Sequence, residues 1–245
     1  MESDRVPAPS SLTGGTPDPS GERCRNPDVW VVIPLYNEAT VVGDVIEGVS
    51  VSYENVVCVD DGSSDDSAAV ARAAGATVIQ HPVNLGQGAA LQTGFMWALR
   101  RRARYVITFD SDGQHRAEDA NAMLQVARDQ DVAIVFGSRF LDDRTDPGFL
   151  KTVVLGLAVK FTRWTTGLKL TDAHNGLRVI RDDALRQIEI KQDRMAHGSE
   201  IVTLLARTRL PWREHPVHVL YTDYSKAKGQ SLWNSVNILI DLLVN

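Results

Sequence analysis

Short apolar runs rich in Val and Ile recur at Val29 to Ile33, Val56 to Val59, Thr77 to Ile79, Tyr105 to Phe109 and Val132 to Phe136. Runs of this length, bounded by polar turns, read as strands buried on both faces. Between them lie stretches with helical spacing. Val41, Val42, Val45, Ile46 and Val49 share one helix face, and Ala89, Leu91, Phe95, Met96 and Leu99 share part of another. Strands alternating with helices predict an α/β fold, with a mostly parallel, Rossmann-like central sheet and helices on both faces.

Open sheets of this kind bind ligands outside the carboxyl ends of their strands. The residues that follow the apolar runs therefore carry the candidate chemistry, and they are unusually polar. The first run leads into Pro34-Leu-Tyr36-Asn-Glu38, the second into Asp60-Asp61-Gly-Ser-Ser-Asp65, the fourth into Asp110-Ser-Asp112-Gly-Gln114 and the fifth into Gly137-Ser-Arg139.

Asp110 and Asp112 sit two residues apart just after a strand, so a turn of the backbone lets both carboxylates reach one cation. Oxygen ligands suit Mg2+ or Mn2+, and Gln114 offers a further oxygen. An acidic pair in a turn is common, and its neighbours set this one apart. Asp60 and Asp61 end the preceding strand, where a carboxylate can accept hydrogen bonds from a base edge or a ribose. Ser64 is placed to cap the helix that follows. Asn84-Leu-Gly86-Gln-Gly-Ala-Ala90 opens a helix, and its glycines allow close backbone approach to a ligand. No Gly-Lys-Ser/Thr follows, and the segment does not come directly after the first strand. Both the P-loop and the dinucleotide-binding fingerprint are thereby excluded.

A chain of 245 residues, 43% hydrophobic, is enough for one substantial core. The expected organisation is a Pro-rich disordered arm over 1–28, a catalytic domain over 29–223 and an amphipathic C-terminal helix or tail over 224–245. The arm holds Pro7, Pro9, Pro17, Pro19 and Pro27 with little to pack. The two cysteines, Cys24 and Cys58, form neither a metal pattern nor a disulfide framework, and Cys58 reads as core. A net charge of -5 argues against nucleic acid as the main partner. The cluster of Arg100, Arg101, Arg102 and Arg104 reads as the solvated end of a helix. With no signal-peptide pattern and no apolar stretch of about 18 residues, the expected location is cytoplasmic.

Taken in order, Val31-Val-Ile-Pro-Leu-Tyr-Asn-Glu38, Val59-Asp-Asp-Gly-Ser-Ser-Asp65, Asn84-x-Gly86 and Asp110-Ser-Asp112 resemble the signature of family 2 glycosyltransferases, over roughly residues 29 to 230. Four ordered motifs, each at a strand end, are far more specific than any one alone. The resemblance implies a GT-A type fold. In it Pro34, Tyr36, Glu38, Asp60, Asp61, Asn84, Gly86 and Asp110 contact a nucleotide-diphosphate sugar, with Glu38 and Asp61 at the base and ribose. It also implies that Asp110, Asp112 and Gln114 hold Mg2+ or Mn2+ against the diphosphate.

Gly137-Ser138-Arg139 resembles a motif of the polyprenol-phosphate branch of that family, which implies an arginine facing phosphate. An ion pair of Arg139 with Asp142 or Asp143 is the alternative. Thr171-Asp172-Ala-His-Asn-Gly176-Leu-Arg178 resembles the acceptor-side segment, with Leu177 where an aromatic residue is usual, and implies acceptor-binding roles for Asp172 and Arg178. Glu200, before the apolar run Ile201 to Ala206, has two readings: a general base for a hydroxyl acceptor, or a carboxylate at a helix N-terminus.

Phe149 to Trp164 and Tyr224 to Val244 each combine basic residues with an apolar helical pattern. Such segments can lie on a bilayer, with Lys228 reaching a lipid phosphate, or they can be core or homodimer-interface helices. The leading expectation is a peripheral enzyme at the cytoplasmic face of the membrane. It would move a hexose with inversion from a UDP- or GDP-sugar to a polyprenyl phosphate, with Asp112, Arg139 and Glu200 as catalytic candidates. A glycan-hydroxyl acceptor in cell-surface polysaccharide synthesis is the alternative within the class. A non-catalytic nucleotide-sugar-binding scaffold, recruited to a membrane-protein partner, is the alternative outside it.

Overall fold

The computed structural model describes residues 26–141, 168–172, 175–192 and 197–220. Phe149 to Trp164, Asp142, Asp143, the C-terminal tail and Lys228 lie outside the described residues.

Among the described residues seven strands form one sheet: β1 (Val29–Leu35), β2 (Asn55–Asp60), β3 (Thr77–Gln80), β4 (Tyr105–Thr108), β5 (Ile134–Ser138), β6 (Arg178–Arg181) and β7 (Trp212–Pro216). Their order is β3-β2-β1-β4-β6-β5-β7. The chain runs outward from β1 to β3 and then returns to place β4 on the other side of β1. The space above β1 and β4 is thus the topological switch point where such sheets bind ligands. β1 pairs in parallel with β2 and β4, and β5 in parallel with β7. β6 is antiparallel to both β4 and β5.

Helices α1 (Val42–Ser50), α2 (Ser67–Ala73), α3 (Gln87–Arg100), α4 (Ala117–Asp129), α5 (Asp182–Leu185) and α6 (His197–Arg207) are described. Successive residues of β1 point to opposite faces and split the core in two. Val31 and Ile33 join Val42, Ile46 and Val49 of α1 and Met123 and Leu124 of α4. Val32 joins Leu91 and Phe95 of α3 and Ile201 and Leu205 of α6. Helices therefore cover both faces, as the alternation predicts. Cys58 is fully buried in this core, where burial pushes its thiol up to about 12.

Several local expectations are corrected. The buried stripe of α3 is Ala90, Leu91, Gly94, Phe95 and Ala98, while Met96 is 44% exposed. Gly94 sets that rotation, because a Cβ there would collide with Val32. β5 begins two residues later than the apolar run suggests, so Gly137 and Ser138 lie within the strand, paired with His215 and Pro216. α6 begins at His197, which puts Glu200 in its first turn. Ser64 does not cap α2, whose N-cap position is Asp66 with no side-chain cap. At the end of the expected arm, Asn26 and Asp28 are tied to the domain through Arg128, whose Nη1 and Nη2 donate to them at 2.8 Å each.

Candidate active site

The loop after β1 is fastened to the loop after β2. Asn37 has a positive φ of 55°, a conformation that asparagine tolerates better than most residues. Its Oδ1 accepts from the Ser64 N–H at 2.9 Å, and its own N–H donates to Ser63 Oγ at 3.0 Å. The Glu38 N–H donates to Ser67 Oγ at 2.7 Å, and its carbonyl accepts from Val41 and Val42 at the start of α1. Glu38 is buried, whereas Tyr36 is 46% exposed beside it. Pro34 is buried inside β1, where Pro34 pairs with Val59.

Asp60 and Asp61 are both buried, and each is bound by groups of the chain. Asp60 accepts from Gln80 Nε2 at 3.0 Å and from the Ser63 N–H at 3.3 Å. Asp61 accepts from the Leu85 N–H at 2.9 Å, the Gly86 N–H at 2.6 Å and His81 Nδ1 at 2.8 Å. Its carboxylate thus pins the loop carrying Asn84 and Gly86 across the sheet edge. The pinning requires glycine at two places. Gly86 has φ 107°, and a Cβ on Gly62 would lie 2.7 Å from the carbonyl carbon of Val83.

Above β4, Asp110 accepts from His115 Nε2 at 2.9 Å and from Gln87 Nε2 at 3.3 Å. Asp112 accepts from the Gln114 N–H at 3.0 Å. Burial, and then the negative charges of Asp110 and Glu38, hold the Asp112 carboxyl above the usual carboxylate range. The Gln114 N–H and His115 oppose this. Asp112 thus lies within the negative field of two further carboxylates, a setting that favours a positive guest. Among the described residues no group of three or more His, Cys, Asp or Glu is arranged to hold a metal ion. The two aspartates fit a cation whose coordination shell is completed from outside the protein. Gln114 lies beside them, its N–H bound to Asp112 and its carbonyl accepting from Leu220 at 2.9 Å.

Arg178 lies beneath this spot, on β6 opposite Thr108. It is 3% exposed, with Nη1 donating to the Gly176 carbonyl at 3.3 Å and Nε without a partner. Burial pulls its pKa down, and the carboxylates of Asp110 and Asp172 oppose that shift. Arg178 is thus a buried cation within the electrostatic reach of both Asp110 and Asp172.

Asp172 is also buried and forms a two-pronged pair with Arg139. Nε donates to Oδ2 at 2.6 Å and Nη2 to Oδ1 at 2.8 Å. This planar fork fixes the guanidinium. Among the described residues Arg139 thus pairs with an aspartate 33 positions away, while Asp142 and Asp143, the alternative partners, lie outside the described residues. Glu200 accepts from the backbone N–H groups of Lys191 and Gln192, the shortest at 2.7 Å. Its oxygens tie that segment to the first turn of α6, in keeping with its reading as a helix N-terminal carboxylate. Sequence reasoning missed His115, Gln87 and Gly176 around Asp110, and His81 beside Asp61. His115 stands three positions after Asp112, and its nearness to the acidic pair was the available signal.

The chain matches the model of glycosyl transferase family 2 over residues 30–189. It belongs to that family and is a glycosyltransferase with a GT-A type fold. It is 27% identical to a UDP-N-acetylglucosamine–dolichyl-phosphate N-acetylglucosaminyltransferase of Methanococcus voltae, over 88% of this chain and 95% of that protein. It is 28% identical to an undecaprenyl-phosphate mannosyltransferase of Micrococcus luteus, over 80% of this chain and 84% of that protein. Its fold resembles glucosyl-3-phosphoglycerate synthase from Mycobacterium tuberculosis, solved in complex with Mn2+ and UDP-glucose. The TM-score is 0.62 at 20% identity, covering 89% of this chain and 78% of that one.

Proposed function

We propose that this glycosyltransferase moves a hexose from a nucleotide-diphosphate sugar to a polyprenyl phosphate, with inversion and with a divalent metal, Mg2+ or Mn2+. The observation that carries the donor half is the placement of Asp110 and Asp112 after β4 at the switch point, where burial, and then the negative charges of Asp110 and Glu38, hold the Asp112 carboxyl above its usual range. Two relatives whose names specify lipid-phosphate acceptors support the acceptor half. So does the fixed guanidinium of Arg139, a group suited to phosphate.

In this reading Tyr36 and Glu38 meet the nucleoside, together with the Asn84–Gly86 loop that Asp61 pins. Asp110 and Asp112, with Gln114 beside them, would hold the metal, which would supply positive charge to the departing diphosphate. Arg139, its plane set by Asp172, orients the acceptor phosphate. An oxygen of that phosphate forms a bond to the anomeric carbon as the carbon–oxygen bond to the diphosphate breaks on the opposite face. The nucleoside diphosphate leaves with the electron pair. A phosphate is already ionised, so the step needs no general base, consistent with the backbone hydrogen bonds that occupy Glu200. The enzyme acts at the cytoplasmic face of a membrane as a peripheral protein. Among the described residues no helix is long and apolar enough to cross one.

The test is turnover of Asp112→Ala in a metal-controlled assay. Loss of transfer in a variant that keeps its fold supports the donor site described, and an unchanged rate sinks it.

A further inference from the structure

Glu214 belongs to β7, a strand that carries none of the residues assigned above, yet its carboxylate reaches the acceptor-side loop. Its Oε1 accepts from the Thr171 N–H at 2.7 Å, from Thr171 Oγ1 at 3.0 Å and from the Asp172 N–H at 3.3 Å. Thr171 Oγ1 also shares a 2.6 Å hydrogen bond with Ser138 Oγ at the end of β5, and Ser138 Oγ accepts from the Phe140 N–H at 3.2 Å. These bonds clamp residues 171 and 172 to Ser138 at the end of β5 and to Glu214 in the middle of β7. The clamped segment presents Asp172 to Arg139, which is the next residue after β5.

We propose that Glu214 is a positioning residue for the acceptor site: by fixing the backbone at Thr171 and Asp172, it sets the plane in which the Arg139 guanidinium meets the acceptor phosphate. The proposal rests on the acceptor role assigned to Arg139.

The register of the sheet supports it. Glu214 pairs with Phe136 in the middle of the two strands, three residues before Arg139, so its carboxylate reaches from the neighbouring strand to the loop whose Asp172 holds the guanidinium just beyond β5. Burial, followed by hydrogen bonds that oppose it and by the nearby charge of Asp172, leaves the Glu214 carboxyl above its usual range. A carboxylate so placed offers one oxygen to three donors, and no water is needed to satisfy the backbone of this turn. Removing it leaves the N–H groups of Thr171 and Asp172 without that acceptor, and the cost is met by a shift of the loop that carries Asp172.

The experiment is steady-state kinetics on the full chain with short-chain polyprenyl phosphate as acceptor and Mn2+ present. The donor is whichever of UDP-N-acetylglucosamine, UDP-glucose or GDP-mannose the wild type turns over. Glu214→Ala should raise the acceptor KM by about ten- to a hundredfold while the donor KM stays within about twofold. Glu214→Gln, whose amide oxygen still accepts the Thr171 bonds, should restore most of the loss. Combining Glu214→Ala with Arg139→Ala should add little to Arg139→Ala alone, because both act on one guanidinium. Should Glu214→Ala not fold, Thr171→Val carries the test, with a smaller rise in acceptor KM alone. An equal effect on donor and acceptor KM, or full additivity with Arg139→Ala, overturns the proposal. If Arg139→Ala raises the acceptor KM and none of the clamp variants does, the clamp is wrong and the acceptor assignment stands. If Arg139→Ala itself leaves the acceptor KM unchanged, both fall.

Discussion

Gly176 packs directly against the carboxylate of Asp110: a Cβ at position 176 would lie 2.6 Å from Cγ and 2.8 Å from Oδ1. Because β6 runs antiparallel beside β4, the residue entering β6 meets the residue leaving β4. The Thr108 hydroxyl locks that approach by donating to the Gly176 carbonyl at 2.6 Å. No side chain larger than hydrogen fits without moving Asp110. Gly176→Ala should therefore lower kcat by about a hundredfold through displacement of the carboxylate. Mn2+-dependent binding of the nucleotide should weaken in parallel, as calorimetry would show. Normal turnover by this variant would mean that Asp110 tolerates displacement and does not hold the diphosphate end.

Asp61 makes a different kind of contribution. Its oxygens hold the Leu85 and Gly86 N–H groups, so Asp61→Ala leaves the buried Gly86 donor unsatisfied at a cost of about 1–3 kcal/mol, and the part-buried Leu85 donor at a smaller one. The expected result is a lower melting temperature together with a raised donor KM, and an unchanged acceptor KM. A donor KM equal to that of the wild type would remove the Asn84–Gly86 loop from the donor site.

Glu200 separates the two acceptor chemistries. Glu200→Gln keeps one acceptor oxygen for the backbone of residues 191 and 192, and it should cost less than about tenfold in rate with a small loss of stability. A fall of about a thousandfold at unchanged stability would make Glu200 a general base and move the acceptor from a phosphate to a sugar hydroxyl.

Glu214 should also leave a signature in the pH dependence of stability. Its folded-state pKa is raised above the ordinary glutamate value of 4.5, chiefly by burial and against the hydrogen bonds from Thr171. The folded protein thus binds this proton more tightly than the unfolded chain does. The stability contributed is present below the ordinary value and is lost as pH rises through the folded-state pKa. Thermal unfolding of wild type and Glu214→Gln between about pH 4 and about pH 8 should show the wild-type advantage shrinking across that window and then levelling. A wild-type advantage that grows with pH would contradict the raised pKa.

The half of the sheet from β1 to β4 was legible in the sequence because β1, β2 and β4 are buried apolar runs followed by polar residues, while β3, only partly buried, still shows the short Thr-Val-Ile pattern of a strand. β6 and β7 were not. Arg-Val-Ile-Arg and Trp-Arg-Glu-His-Pro are short, carry charges that the neighbouring loops satisfy, and lack the long apolar run of a fully buried parallel strand. The carboxylates Glu38, Asp60, Asp61, Asp110 and Asp112 were legible because they follow strands at one edge. Their partners were not. His115 alone, five positions from Asp110, was near enough to be suspected; Gly176 and Glu214 act through contacts between segments far apart in the chain, and spacing along a sequence does not encode such contacts. Arg139 illustrates the difference: its residue type announced phosphate, but its partner Asp172 emerged only once β5 and β6 were paired.

The most direct measurement is transfer of radiolabel from separate UDP- and GDP-sugars to short-chain polyprenyl phosphate by the purified chain, with Mg2+ or Mn2+ and with chelator, followed by butanol extraction. The account predicts labelled lipid from one donor class, formed only with metal and absent for Asp112→Ala. Metal-dependent release of nucleoside diphosphate with no labelled lipid, whichever donor is supplied, would contradict the polyprenyl-phosphate acceptor.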